Sequence, residues 1–288
     1  MPSRPAFAWF EGKVVPFADA KVPIDDRGLQ FGESLYEVVA IAGGRPRLLA
    51  EHVARMEHAL PALGLTGALP AVAEWERFIA ELLAREPVGE GLLYAQLTGG
   101  ASPREHIPSV PPPPTFFAYV APYRFPRAPQ VSRGVTAISL LDPRWARRDL
   151  KTTMLLPAVL AKREARRQGA DEAVLVGADG FVHEGASSNV FGLAEGVLFS
   201  PAQSEALLPG TMRPLVAGVA RDAGLTVRNE PVTLARLAAA DEVFVTSSSQ
   251  LVMPVLSVDG KPIGSGDAGP VARDLARRVR ARFELDDG

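Results

Sequence analysis

The 288-residue sequence contains no cysteine and only four histidines. The first absence excludes disulfides, thiolate zinc sites and cysteine nucleophiles, and it is compatible with a reducing cytosol. The second leaves little for a metal site. Neither sign of charge dominates: 31 basic and 33 acidic residues give a formal net charge of −2. Such a chain lacks the electrostatic footprint of a protein that binds nucleic acid or an anionic membrane, so small molecules are the expected partners. No run approaches the ~18 uninterrupted apolar residues of a membrane span. Met1-Pro2-Ser3-Arg4-Pro5 has no apolar stretch like that of an export signal, and the expectation is a cytoplasmic protein. Also missing are a G-x-x-x-x-G-K-S/T phosphate loop, G-x-G-x-x-G, H-E-x-x-H and a G-x-S-x-G elbow. Those absences remove the ready nucleotide, zincin and hydrolase readings.

What is present is ordinary for a globular chain, 47% hydrophobic and 22% charged, enough for one large or two medium domains. Ala6-Phe10 and Val14-Val15 read as a hairpin around Glu11-Gly12-Lys13. Residues 25–32 read as a Gly-punctuated loop, followed by a strand over Ser34-Ile41. Leu49, Val53, Met56, Leu60 and Leu63 recur at three- and four-residue steps, which predicts an amphipathic helix over Leu48-Leu63. A second helix over Ala71-Arg85 and strands at Leu92-Thr98 and Phe116-Val120 follow, the strands separated by an irregular loop, 99–114. Its four successive prolines fit a stiff surface connector better than an SH3-type ligand. Residues 122–133, with prolines at 122, 126 and 129, are the expected linker between domains 1–121 and 134–288. In the second half, strands at 135–141, 172–176, 181–184, 190–193, 197–200 and 242–246 alternate irregularly with helices at 155–168, 211–223 and 269–283. The Arg-rich last helix reads as a solvated face. Mixed order without a repeating βαβ unit predicts an α+β protein of two domains.

Lys151 stands before the apolar run Met154-Leu160, and an amine at the mouth of a buried helix is a usable nucleophile and base. Taken alone, a lysine is far more often a solvated surface charge. Downstream, Val182-His183-Glu184-Gly185-Ala186-Ser187-Ser188-Asn189-Val190-Phe191 forms a small-residue turn with one carboxylate, open to close approach by a ligand. An amine and a carboxylate are what pyridoxal phosphate needs, one for its Schiff base and one facing the pyridine nitrogen. Gly210-Thr211 at a helix start offers amides, a hydroxyl and a positive dipole end for the phosphate. Ser247 and Ser248, after a strand, are a second donor set. The residue types alone also admit purely structural uses.

At these residues the chain resembles the fold-type IV pyridoxal phosphate enzymes, the class-IV aminotransferases. The resemblance covers almost the whole chain and is carried by Asp26-Arg27-Gly28-Leu29-Gln30-Phe31-Gly32, Tyr36-Glu37-Val38-Val39, Glu51-His52-Val53-Ala54-Arg55, Leu150-Lys151 and Glu184-Phe191. It implies a smaller N-terminal α/β domain and a larger C-terminal domain with a barrel-like β core. It further implies that Lys151 forms the Schiff base and shuttles the substrate proton, and that Glu184 sits at the pyridine nitrogen. Arg55 would pair with the phosphate, assisted by Thr211, Met212, Ser247 and Ser248, with Leu208 beside the ring. Without the resemblance, Arg55 reads as a helix-surface charge with Glu51 at i−4.

Within that family the chain looks most like the D-amino acid aminotransferases, in which a tyrosine, an arginine and a histidine bind the substrate carboxylate. Tyr36, Arg104 and His106 stand at the matching places. A guanidinium suits a carboxylate because it donates two parallel hydrogen bonds. The expected reaction is ping-pong transamination of D-alanine- or D-glutamate-class donors with 2-oxo acids. In the family the Arg104-bearing loop reaches a neighbouring subunit, which implies a homodimer with shared active sites. Thr98-Gly99-Gly100 departs from the Thr-Arg-Gly common in relatives. Branched-chain L-aminotransferases share the Lys151 and Glu184 motifs but not Arg-x-His. They remain alternatives, with R-selective amine transaminases, aminodeoxychorismate lyases and a non-catalytic small-molecule-binding descendant.

Overall fold

The computed structural model describes residues 4–65 and 67–285. The chain divides into two units: one runs to Arg124 and includes Leu150–Met154, and the other holds Phe125–Asp149 and everything from Leu155 onward. Elements in chain order are β1 (Phe7–Phe10), β2 (Lys13–Pro16), α1 (Arg27–Phe31), β3 (Ser34–Ala42), β4 (Arg45–Pro46), α2 (Leu49–Ala59), α3 (Val72–Arg85), β5 (Glu90–Thr98) and β6 (Thr115–Pro122), all in the first unit. The second unit has α4 (Ala128–Arg133), β7 (Val135–Leu141), α5 (Leu156–Arg167), β8 (Glu172–Val176), β9 (Val182–Gly185), β10 (Asn189–Ala194), β11 (Val197–Ser200), α6 (Met212–Asp222), β12 (Thr226–Asn229), α7 (Leu234–Ala238), β13 (Glu242–Ser247), β14 (Leu251–Val258), β15 (Lys261–Pro262) and α8 (Pro270–Arg282).

The first unit is a six-stranded antiparallel sheet ordered β2-β1-β6-β5-β3-β4. Period-two alternation splits its residues between two faces. Leu35, Val39, Leu93, Ala95, Leu97 and Ala118 are buried in one core with Val53, Met56, Trp75 and Phe78 of α2 and α3. Tyr36, Tyr94 and Tyr119 alternate with them and line the other face, stacked at 5.7 Å and 5.3 Å between centroids. The edge of β3 that β4 leaves uncovered is taken by Leu150–Met154: Tyr36 N donates to the Lys151 carbonyl (3.0 Å) and Thr153 N to the Ser34 carbonyl (3.2 Å). The segment bearing Lys151 therefore belongs to the first unit, although its neighbours in sequence belong to the second.

The second unit is a nine-stranded mixed sheet, β12-β11-β10-β13-β14-β7-β8-β9 with β15 on β14. β7, α5 and β8 form one parallel crossover, and β9 turns back beside β10, Gly185 N donating to the Ser188 carbonyl at 2.7 Å. The central strands thus curl toward a barrel around Val174, Val190, Val243, Val245 and Met253.

Local differences from the sequence expectation have local causes. Residues 27–31 are helical because the Asp26 side chain accepts from Gly28 N and caps a five-residue turn. The 48–63 periodicity breaks into α2 and a 3-10 turn, Leu60–Leu63, carrying Pro61, whose ring cannot continue an α-helix. The proline-marked segment 122–133 contains α4, with Val131 buried. Helix α5 is not a buried helix. It buries only the small residues Ala158, Ala161 and Ala165 and leaves Leu156, Val159 and Leu160 exposed. Among the described residues no helix is long and apolar enough to cross a membrane.

Candidate active site

Lys151 is half-buried in the first unit. Its Nζ lies 4.4 Å from the centre of the Tyr36 ring and donates to the Tyr36 hydroxyl at 3.4 Å. Pairing with β3 fixes the backbone of both residues, so amine and phenol are brought together by strand register rather than by sequence proximity. Glu37, the next residue on β3, faces the helix side and is fully buried. There it accepts from Arg55 Nε at 2.8 Å and from His52 Nδ1 at 2.6 Å, both on α2. Arg55 thus pairs with Glu37 on the sheet, not with Glu51 along its helix.

Burial alone would push the Glu37 carboxyl up. The charges of Arg55 and His52, and the hydrogen bonds both donate, outweigh it and hold Glu37 down at about 2. Burial lowers His52 from 6.5 against the pull of Glu37, with the nearby Arg55 and Lys151 charges adding to the lowering. At neutral pH His52 is therefore an uncharged donor, and the ion pair is Glu37 with Arg55.

Arg104 and His106 lie in the exposed 99–114 loop of the same unit. Both sit against one ring: the Arg104 guanidinium is 5.2 Å from the Phe31 centroid and the His106 ring 5.5 Å. The structure thus sets these two side chains against one ring and pairs Lys151 with Tyr36.

The second unit carries Glu184, Leu208, Thr211, Met212, Ser247 and Ser248. Glu184, 4% exposed, accepts from Arg144 NH1 at 2.6 Å, from Asn189 Nδ2 at 2.9 Å and from Leu208 N at 3.2 Å. Arg144 is itself gripped by Asp142 through Nε (2.9 Å) and NH2 (2.8 Å), and Asp142 also takes His183 Nδ1 at 2.9 Å. Burial would raise the Asp142 carboxyl, but hydrogen bonds from Arg144 and His183 and the charge of Arg144 hold it at about 2. The network fixes the Glu184 carboxyl by hydrogen bonds from Arg144, Asn189 and the Leu208 amide. Nothing in the residue pattern around 142–148 marks Asp142 and Arg144 for this. The available signal is His183 and Glu184 standing side by side in a strand, which invites a search for an arginine and an acid elsewhere.

Asn189 links this carboxylate to a donor cup. It also donates to the Leu208 carbonyl at 3.2 Å, and a Cβ on Gly210 would lie 1.8 Å from its Oδ1, so only glycine lets the chain pass from Leu208 into the start of α6. Across the ladder Asn189 faces Thr246, which places Ser247 and Ser248 just beyond. The first turn of α6 at Thr211 and Met212 and the Ser247 and Ser248 hydroxyls are the donors the second unit offers at this end of the ladder. Thr246, 1% exposed, keeps its Oγ1 without a hydrogen-bond partner. Such an orphan costs about 1–3 kcal/mol, which an oxyanion or its hydration shell would offset. An amine beside a phenol in one unit, and a fixed carboxylate next to an anion cup in the other, fit the donor set that pyridoxal phosphate requires.

Comparison with known proteins agrees with this chemistry. Residues 34–258 match the family model of amino-transferase class IV. The D-alanine aminotransferase of Bacillus licheniformis is 36% identical over 266 residues, covering 92% of this chain and 93% of that protein. That of Staphylococcus epidermidis strain RP62A is 34% identical over 268 residues, covering 93% and 94%. Among solved structures, the Escherichia coli branched-chain amino acid aminotransferase superposes with a TM-score of 0.91 at 25% identity, covering 99% of this chain and 97% of that one. A second branched-chain amino acid aminotransferase, solved with pyridoxamine 5′-phosphate, gives 0.90 at 28% identity, covering 97% and 94%.

Proposed function

The chain belongs to the class-IV aminotransferases, pyridoxal phosphate-dependent enzymes of fold-type IV, and on that premise we propose that it transaminates D-amino acids of the D-alanine/D-glutamate class with 2-oxo acids in a ping-pong cycle. The observation that carries the choice is the pairing of Arg104 and His106 against Phe31, a cationic element suited to a substrate carboxylate. The 36% identity to a D-alanine aminotransferase points the same way.

When bound, pyridoxal phosphate supplies an aldehyde carbon that links to amines and a protonated ring that draws electrons from the substrate Cα. Lys151 Nζ would be the chain's nucleophile toward that carbon and the base that takes the proton from the substrate Cα and gives it back. Tyr36 Oη, 3.4 Å from that amine, orients it and adds a donor toward the substrate carboxylate. Glu184, oriented by Arg144, Asn189 and the Leu208 amide, would be the carboxylate facing the ring nitrogen. In the second unit Thr211, Met212, Ser247 and Ser248 would hold the phosphate, with Leu208 beside the ring; in the first, Glu37 sets the direction of the Arg55 guanidinium, a group suited to a phosphate.

The working form in this proposal is a homodimer with shared active sites. In the first unit the Arg104 loop leaves Ile107 and Val110 exposed, with Ile24 and Leu29 also uncovered. In the second unit Leu156, Val159 and Leu160 of α5 are exposed. Apolar sets of this kind are what a second copy would cover.

The branched-chain L-amino acid reading stays the main competitor because the two solved structures cited above carry that name. Fold alone does not choose between them. A half-reaction panel does: the holoenzyme is mixed with single D-amino acids, L-amino acids and R-amines, and bleaching of the bound cofactor's visible absorbance is followed. Fast bleaching by D-alanine with none by L-leucine supports the proposal, and the reverse order refutes it. Arg104→Ala should raise KM for D-alanine about tenfold or more, the loss of a charge-assisted contact, with a smaller effect on an R-amine; equal effects would remove the carboxylate role.

A further inference from the structure

The loop that carries Arg104 and His106 is held by one buried side chain. Arg27, in α1, is 4% exposed. It donates from NH1 to the Glu105 carbonyl at 2.7 Å and from NH2 to the His106 carbonyl at 2.9 Å, while Nε meets the Glu33 carboxylate at 2.8 Å. Its guanidinium also lies 4.9 Å from the Phe31 ring that Arg104 and His106 share. Residues 105 and 106 cannot swing away without breaking two hydrogen bonds from a charged donor, the stronger kind.

The root of the loop is tied to the same helix. Arg27 N donates to the Gly100 carbonyl at 2.8 Å, and the Thr98 hydroxyl donates to Asp26 at 2.7 Å. Position 99 is the telling one. A Cβ there would stand 2.5 Å from Glu33 Oε1 and 3.4 Å from Arg27 Cβ, so any side chain at 99 would displace the carboxylate that orients Arg27. The glycine that departs from the pattern common in relatives is thus the residue that leaves room for the Arg27–Glu33 pair.

We propose that Arg27, oriented by Glu33 and given space by Gly99, is the positioning residue that sets Arg104 and His106 for the substrate carboxylate. This rests on the carboxylate role assigned above to Arg104 and His106. Arg27 does not itself bind substrate, because its three guanidinium nitrogens are engaged by the loop and Glu33. Its contribution is to spare the substrate the ordering of the loop, which shows as affinity for carboxylates rather than as rate.

The test uses holoenzyme of the parent and of Arg27→Met, Arg27→Lys, Gly99→Ala and Arg104→Ala. Propionate, a carboxylate without an amine, is titrated against the absorbance band of the bound cofactor, a readout independent of turnover. KM and kcat are then taken for D-alanine and for an R-amine lacking a carboxylate. Arg27→Met should raise the propionate dissociation constant and the D-alanine KM roughly tenfold or more, the equivalent of one lost charge-assisted hydrogen bond, with kcat changed less and the R-amine KM least. Trypsin should also cut faster after Arg104. Arg27→Lys, a point charge that cannot reach two carbonyls and Glu33 together, should fall between, and Gly99→Ala should move in the same direction. If Arg27→Met does not fold, the last two variants decide. Parent-like propionate binding in the Arg27 and Gly99 variants, beside weakened binding in Arg104→Ala, overturns the proposal. Parent-like binding in Arg104→Ala overturns the carboxylate role, and the proposal with it.

Discussion

Glu37 offers a stability measurement whose size follows from its surroundings. It is fully buried and faces His52 Nδ1 at 2.6 Å and Arg55 Nε at 2.8 Å. The drop of its carboxyl from 4.5 to about 2, at about 1.4 kcal/mol per tenfold change in acidity, corresponds to about 3 kcal/mol. That agrees with the ~3–5 kcal/mol lost when one member of a buried ion pair is removed. In Glu37→Gln one acceptor oxygen becomes an amide nitrogen facing donors, and the Arg55 charge loses its counter-ion. Urea unfolding at pH 7, followed by the fluorescence of Trp9 and Trp75, both buried in the same unit, should show a loss of about 3 kcal/mol. Because the folded carboxyl is the more acidic one, its contribution is complete above 4.5 and disappears as pH falls toward 2. His52 acts in the same direction from a higher starting point: burial lowers it from 6.5, so the unfolded chain takes the proton first and stability falls as pH drops below that value. The parent should therefore lose stability in two stages on acidification, and Glu37→Gln should lack the lower stage. A variant within about 0.5 kcal/mol of the parent at pH 7, the range of an ordinary surface substitution, would refute the cluster's assigned role.

Two further substitutions separate site from surface. Arg144→Met removes the 2.6 Å partner of Glu184 and should weaken pyridoxal phosphate binding roughly tenfold to a hundredfold, with a displaced absorbance band; equilibrium dialysis giving the parent affinity and an unmoved band would count against the network. Glu164→Gln on α5 is the control: Arg167 and Gln168 hold the Glu164 carboxyl at about 2, yet the ion pair is exposed to solvent, so the denaturation midpoint should not move, and a clear fall in it would show that exposed pairs matter more in this chain than screening allows.

Elements with strong periodicity are legible in the sequence. Helix α3, strand β5 and the hairpin of β1 and β2 carry their own patterning and turn residues, and they stand where the pattern puts them. β14 is the clear omission. It runs through Leu251–Val258 with five successive buried residues from Leu251, so it has no alternation to detect, and Pro254 within it argues against a strand. Its place between β13 and β7 is supplied by the sheet, where parallel pairing to β7 and antiparallel pairing to β13 bury both faces. The helix at 27–31 is illegible for the opposite reason. Five residues are too short for a period, and only the Asp26 cap marks them.

At the candidate site the division runs along sequence separation. Lys151 and Glu184 can be singled out because an amine and a carboxylate together announce a chemistry in any order along the chain, whereas Arg104 and His106 stand out only through the resemblance to the family. The residues that hold them cannot, since each does so across a distance that only the fold closes: Arg144 reaches Glu184 over 40 positions and Arg27 reaches His106 over 79. Holding also uses a donor or an acceptor rather than a particular residue type, so composition does not flag it. The supporting groups are nevertheless as specified as the acting ones. Asp142 has no exposed side-chain surface and still holds two arginines and a histidine, a burial that is tolerable only because every charge in it is paired. A buried acid that holds two arginines and a histidine is not required by the packing of a β-sheet. It orients Arg144 toward Glu184, which lies at 4% exposure, and so serves the carboxyl that the proposed reaction uses rather than the packing around it.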